Sequence, residues 1–140
     1  MKKILGLDLG TTTLGIAETD ALGLAAHGRE TFRFEPGNFK SAREHVLQIA
    51  SKEGITEIAL GMPLYESGDI SPHAKSCMRF KDDLLKENPD LQITLVDESY
   101  STIEADEKLK ETGLSYEKRK EIIDEMAAVV ILERYLGGKK

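Results

Sequence analysis

The chain has 140 residues, 40% of them hydrophobic and 31% charged, which suits one domain that can bury a core. Nineteen Lys and Arg against 25 Asp and Glu give a formal net charge of −6, which argues against nucleic-acid binding by bulk electrostatics. It leaves open an enzyme that engages phosphates through metal ions and a local basic strip. No apolar run approaches the ~20 residues that span a bilayer, and Met1-Lys2-Lys3-Ile4 leads into no signal-like apolar stretch. A cytoplasmic protein with no membrane contact is expected.

Three strands come first: Lys3–Leu9, Leu14–Thr19 and about His27–Phe34. Gly10, then Asp20 and Gly23, break the pattern between them, and such short connections favour an antiparallel meander. Asn38 is a fair N-cap for a helix to about Lys52, with Gly54 as its stop. Ile58–Gly61 reads as a short buried strand, and Met62–Ile70 as a loop bordering a site. Ser71-Pro72 is a helix start, with the helix running to about Glu87. Leu91–Val96 is the next strand. Ser101-Thr102-Ile103-Glu104 has capping-box spacing and opens a helix stopped by Gly113. A last helix runs from about Ser115 to Leu136. Strands alternating with helices in the second half imply parallel pairing and right-handed crossovers. One domain over residues 1–136 and a short flexible tail over 137–140 are expected.

Three carboxylates stand out. Asp8 interrupts an apolar strand beside the Gly10-Thr11-Thr12 turn. A carboxylate there either holds a divalent cation against a phosphate or caps the turn. Glu98 lies just past the end of Leu91–Val96, where sites gather in open α/β sheets; a solvated loop carboxylate or a partner for the helix dipole is the alternative. Asp124 shares a helix face with Ala127, Ala128 and Ile131, and the small alanines let that face approach a sheet closely. It could equally sit in exposed early turns of the helix. Clustered carboxylates are what a hard cation such as Mg²⁺ requires.

Other residues are less informative. His27, His45 and His73 have neither zinc-like nor triad-like spacing. His73 follows Ser71-Pro72, where it reads as a surface residue that could touch substrate. Cys77 is alone, so neither an internal disulfide nor a Cys-based zinc site is expected, and it reads as a small apolar filler. Lys118-Arg119-Lys120 is the tight basic cluster, either phosphate contacts or a solvated helix start. Phe32 and Phe34 read as core, and Tyr65 and Tyr100 as loop aromatics able to stack on bases.

The order of these segments resembles the YqgF-type family of Holliday junction resolvases, also described as pre-16S rRNA processing nucleases. The resemblance rests on Leu5-Gly6-Leu7-Asp8-Leu9-Gly10-Thr11 with Gly15-Ile16-Ala17, and on Leu60-Gly61-Met62-Pro63-Leu64. It continues in Asp97-Glu98 with Ser101-Thr102-Ile103-Glu104-Ala105, and in Lys118-Arg119-Lys120 through Ile123-Asp124 and Ala127-Ala128. It covers nearly the whole chain. It implies an RNase H-like α/β domain with a mixed five-stranded sheet, three antiparallel strands followed by two parallel ones. It also implies a nuclease with Asp8, Glu98 and Asp124 as catalytic residues and ligands of Mg²⁺ or Mn²⁺. Lys118, Arg119, Lys120, Thr11, Thr12 and Tyr100 are then the candidate nucleic-acid contacts. The substrate would be precursor rRNA or branched DNA, and the protein a monomer or homodimer.

The chain departs from the family pattern at Leu9, where Pro is frequent, at Thr12 and Thr13, where basic residues are frequent, and at Ser99-Tyr100, where Arg and an apolar residue are frequent. Two rivals accompany this reading. Asp8-Leu9-Gly10-Thr11-Thr12 also resembles the first phosphate loop of actin-like and sugar-kinase ATPases, which would make this a single ATP-binding lobe. The other is a non-catalytic RNase H-like module that binds a ribosome-biogenesis partner.

Overall fold

The computed structural model describes residues 3–63 and 71–138. Its elements follow as β1 (Ile4–Leu9), β2 (Thr13–Thr19), β3 (Ala26–Arg33), α1 (Phe39–Glu53), β4 (Glu57–Met62), α2 (Pro72–Glu87), β5 (Gln92–Asp97), α3 (Ser101–Lys110) and α4 (Tyr116–Gly138). The strands lie side by side in the order β3-β2-β1-β4-β5. β1–β2 and β2–β3 are antiparallel; β1–β4 and β4–β5 are parallel. This is the expected mixed sheet, and the tight turn at Gly10–Thr12 accounts for its antiparallel half. The parallel half requires crossovers long enough to hold α1 and α2.

Alternation along β1 decides what faces what. Leu5, Leu7 and Leu9 join Leu14 and Ile16 in the main core, covered by Val46 and Ile49 of α1 and Phe80 and Leu84 of α2. Ile4 points the other way and packs with Ala17, Ala59 and the α4 residues Ala128, Val129 and Leu132. Asp8, four residues along from Ile4, belongs to that second face. α4 is buried without interruption from Ala127 to Leu132. The sheet covers one side of it, and α3 covers another through Ala105 against Ala127 and Val130. A long apolar run in a single helix is thereby explained without a membrane. Among the described residues, no helix is long and apolar enough to cross one.

Local chemistry sets most boundaries. The Asn38 side chain accepts from the Ser41 N–H, and Gly54 ends α1 in the left-handed region at φ 68°. Ser71 accepts from the Ala74 N–H at 3.0 Å, with Pro72 in the first helical position. Three boundaries differ from expectation, the simplest being α3, which ends at Lys110 with Glu111 as its C-cap, ahead of the expected stop at Gly113. The capping box at Ser101 does not form: Tyr100 is the N-cap, in the left-handed region at φ 63°, with no side-chain cap bond. Ser101 is instead buried, its N–H donating to the Glu98 carbonyl at 2.9 Å. α4 continues through Gly138, two residues past the expected stop, because Leu136 still packs against the sheet-side cluster. The expected loop at Met62–Ile70 falls mostly outside the described residues; its first residue, Met62, ends β4.

The approach of α4 to β2 is unusually close. A Cβ placed on Gly15 would sit 2.0 Å from the Asp124 carbonyl oxygen. Neither strand nor helix backbone can yield that distance, so only glycine is accommodated there. Gly15→Ala is expected to destabilise the protein by at least about 2 kcal/mol through overpacking. Chemical denaturation measures it, and an unchanged midpoint would mean that α4 packs elsewhere.

Candidate active site

β1, β4 and β5 run parallel, and their carboxyl ends come together at one edge of the sheet. Asp8 is the penultimate residue of β1 and pairs across to Gly15. Residues directly opposite in an antiparallel pair point to the same face. The missing Cβ of Gly15 points at the backbone of Asp124, so the Asp8 side chain rises beside the same turn of α4. On the other side, β1 and β4 are in register through Leu7 and Leu60, which brings Gly61 next to Asp8. A Cβ on Gly61 would meet Glu98 Oε2 at 2.9 Å and Ile131 Cδ1 at 2.5 Å. The glycine leaves the space that the Glu98 carboxylate fills. Glu98 follows β5 directly, its N–H donating to the Met62 carbonyl at 3.2 Å.

The three predicted carboxylates therefore share one face and one edge, although they come from β1, the loop after β5 and α4. Asp8 is partly buried by surface area yet closely crowded by protein atoms. That desolvation, followed by a hydrogen bond with Glu98 and the charges of Glu98 and Asp124, pushes its pKa well above the ordinary carboxylate value, with His73 opposing weakly. Among the described residues, no Lys or Arg forms an ion pair with Asp8, Glu98 or Asp124. Three hard oxygen donors, crowded and short of positive charge, suit a hard divalent cation.

Two neighbours take roles that the sequence does not signal. His73, expected at the surface, lies in the first turn of α2 with Nε2 3.1 Å from Glu98 Oε1. Its side chain is 40% exposed, against 10% for Glu98. Cys77 is buried as expected, but its Sγ lies 3.8 Å from His73 Nε2. The contact with Cys77 and the hydrogen bond to Glu98 push the His73 pKa up to about 10. The i, i+4 spacing of His73 and Cys77 was visible in the chain, but their meeting with Glu98 depends on how α2 lies over the sheet. Arg134 of α4 is the second. Its Nη1 donates to the Asp97 carbonyl at 2.8 Å and the Ser99 carbonyl at 3.0 Å, bracing the loop that presents Glu98.

The nucleic-acid candidates separate into two groups. Thr11 and Thr12 are exposed on the β1–β2 turn, and Tyr100, 77% exposed, stands two residues beyond Glu98. Lys118 and Lys120 are exposed on the first turns of α4. Arg119 is not available in the same way: it bonds Asp106 at 3.2 Å and the Leu114 carbonyl at 3.1 Å, and stacks over Tyr116. Its role is to fix α4 to α3. Tyr65 lies outside the described residues. His45 is engaged elsewhere, stacked on Phe32 and bonded to Glu30 at 3.0 Å.

Residues 2–138 match the family described as RuvX, Holliday junction resolvase. A Staphylococcus aureus (strain JH9) protein named "Putative pre-16S rRNA nuclease" is 37% identical over 136 residues, 97% of this chain and 96% of that protein. Among solved structures, T. thermophilus RuvC in complex with a Holliday junction substrate superposes with TM-score 0.63 at 15% identity, covering 99% of this chain and 96% of that one. The Fowlpox virus resolvase in complex with Holliday junction DNA gives 0.58 at 12% identity, covering 98% of each. At these identities the two structures speak for the fold.

The raised pKa of Asp8 carries a stability signature. The folded protein binds a proton more tightly there than the unfolded chain does, so ionised Asp8 costs stability at pH values above both pKa values. Without metal, Asp8→Asn should melt higher than the wild type at neutral pH. Its advantage should shrink as pH falls and Asp8 takes up its proton. Mg²⁺ or Mn²⁺ should raise the wild-type Tm and leave the variant nearly unmoved. Thermal melts across pH, with and without metal, measure both; an Asn variant that melts lower without metal would make Asp8 a turn cap.

Proposed function

The chain belongs to the RuvX family, and we propose that it is a divalent-metal-dependent nuclease hydrolysing phosphodiester bonds in structured nucleic acid, with precursor 16S rRNA as the substrate. The observation that carries the chemistry is the convergence of Asp8, Glu98 and Asp124 with no Lys or Arg paired to them among the described residues. The choice of rRNA rests on the relative that is 37% identical over nearly the whole chain. Four-way DNA junctions are the second reading, favoured by the family description.

Asp8, Glu98 and Asp124 are the residues that would hold Mg²⁺ or Mn²⁺. Held there, the ion would supply an activated water and charge to stabilise the leaving oxygen. The chain's own contribution is placement. Gly61 leaves room for the Glu98 carboxylate, His73 holds one of its oxygens, and Arg134 fixes the loop behind it. Such supporting contacts orient ligands and commonly matter 10–100-fold, roughly, to metal affinity or activity. Thr11, Thr12 and Tyr100 rim the same edge, where the hydroxyls can meet phosphate and the ring can stack on an unpaired base. Lys118 and Lys120 supply positive charge on an otherwise acidic molecule. A non-catalytic binding module has no use for an unbalanced carboxylate cluster, which costs stability without a ligand. A lone ATP-binding lobe is disfavoured by the end-to-end match with resolvases.

A cleavage panel with Mg²⁺ or Mn²⁺ tests the reading. The purified protein should cut precursor 16S rRNA and should lose that activity by on the order of a hundredfold or more in Asp8→Asn. Cutting only four-way junctions, with two symmetric incisions and a dimeric enzyme, would favour the second reading. No metal-dependent cleavage of either substrate would refute both. For the phosphate contacts, Lys118→Gln and Lys120→Gln should each reduce the slope of log K against log salt by about 0.7–0.9. Arg119→Gln should instead lower stability through loss of its bond to Asp106.

A further inference from the structure

α2 brings to the site a thiol, Cys77, that the hydrolysis described above does not use, beside the His73 ring that holds Glu98. His73 and Cys77 are one helical turn apart, so their side chains share a face. His73 Nε2 lies 3.8 Å from Cys77 Sγ and 3.1 Å from Glu98 Oε1. One ligand atom from each of the three residues falls within 4.8 Å of the others. Zinc bonds of about 2.0–2.3 Å at tetrahedral angles place neighbouring ligand atoms about 3.3–3.6 Å apart. Small side-chain shifts therefore suffice to close the three donors around one ion. Thiolate with imidazole selects a softer metal than an all-carboxylate site does. Cys77 is buried, and the half-exposed His73 ring gives the ion its way in.

We propose that His73, Cys77 and Glu98 form a three-ligand Zn²⁺ site with a water in the fourth position, and that filling it withdraws Glu98 from the carboxylate cluster around Asp8. Any protons on the thiol and the imidazole leave to bulk water as the sulfur and nitrogen bind the ion. The site uses a soft-metal chemistry separate from that of the Mg²⁺ or Mn²⁺ ligands, and it shares a single residue with them. Zinc binding would then switch off metal-dependent cleavage. That second clause rests on the nuclease reading; the zinc site itself does not.

Co²⁺ is the spectroscopic probe for the ion. The metal-free wild type should bind one Co²⁺ with a thiolate-to-cobalt charge-transfer band in the near ultraviolet, displaced by Zn²⁺. Cys77→Ala should lose the band, and His73→Gln should weaken Zn²⁺ binding about tenfold or more. Circular dichroism checks that each variant is folded. If the buried Cys77→Ala does not fold, His73→Gln at the partly exposed position carries the comparison. No thiolate band in the folded wild type, or equal Zn²⁺ affinity in wild type and variants, would overturn the site. In cleavage assays with excess Mg²⁺, Zn²⁺ should inhibit the wild type and spare Cys77→Ala, whose activity in Mg²⁺ alone should be normal. Equal inhibition of both would overturn the regulatory clause. A wild type that shows the cobalt band but cleaves nothing in Mg²⁺ would overturn the nuclease reading and leave the zinc site standing.

Discussion

Carboxylate charge held against the sheet edge is the constraint on which the site depends. Two ends of the same sheet show the contrast. Glu18 on β2 is buried, but Lys3 reaches it at 2.8 Å and Arg29 at 3.1 Å, and both cations also bind Glu53. That end has its charge matched within the protein. At the other end Asp8, Glu98 and Asp124 have, among the described residues, only the His73 ring against them. Burying charge without a partner is costly, so the arrangement is intelligible as one half of a site whose other half is a cation.

The rest of the fold holds that cluster in place. Parallel pairing of β1, β4 and β5 brings three strand ends to one edge, so residues far apart in the chain meet there. Strand β2, antiparallel to β1, supplies the Gly15 surface on which α4 lies, and α4 brings Asp124 down to Asp8. α4 is long and apolar because it is a core layer between sheet and α3. Arg119 and Arg134, at opposite ends of that helix, fix it to α3 and to the Glu98 loop. One element thus carries a carboxylate, much of the core and a brace for a second carboxylate.

Much of this was legible in the chain. Apolar runs between turn-forming residues mark the strands, and the Asn38, Ser71 and Gly54 signals mark helix ends that the structure places within a residue or so. Asp8 was conspicuous because a carboxylate broke an apolar strand. Asp124 was suggested by the alanines one turn below it. What was not legible depended on contacts between elements. Ser101 looked like an N-cap, but the tight turn after β5 put Tyr100 in that position. Arg119 reads in sequence as a phosphate contact, but its Nε–H donates to Asp106. His73 looked like a surface residue because nothing local indicates that α2 starts over the Glu98 loop. In each case a side-chain role was set by a partner more than ten residues away, or by a turn whose geometry sequence does not encode strongly.

The central claim is that Asp8, Glu98 and Asp124 together bind the ion that does the chemistry. The most direct measurement is anomalous diffraction from crystals soaked in Mn²⁺. The account predicts a strong peak with oxygens of all three carboxylates about 2.0–2.4 Å away. A fully soaked crystal with no peak at this edge, or with the ion bound by other residues while these carboxylates stay apart, would contradict it.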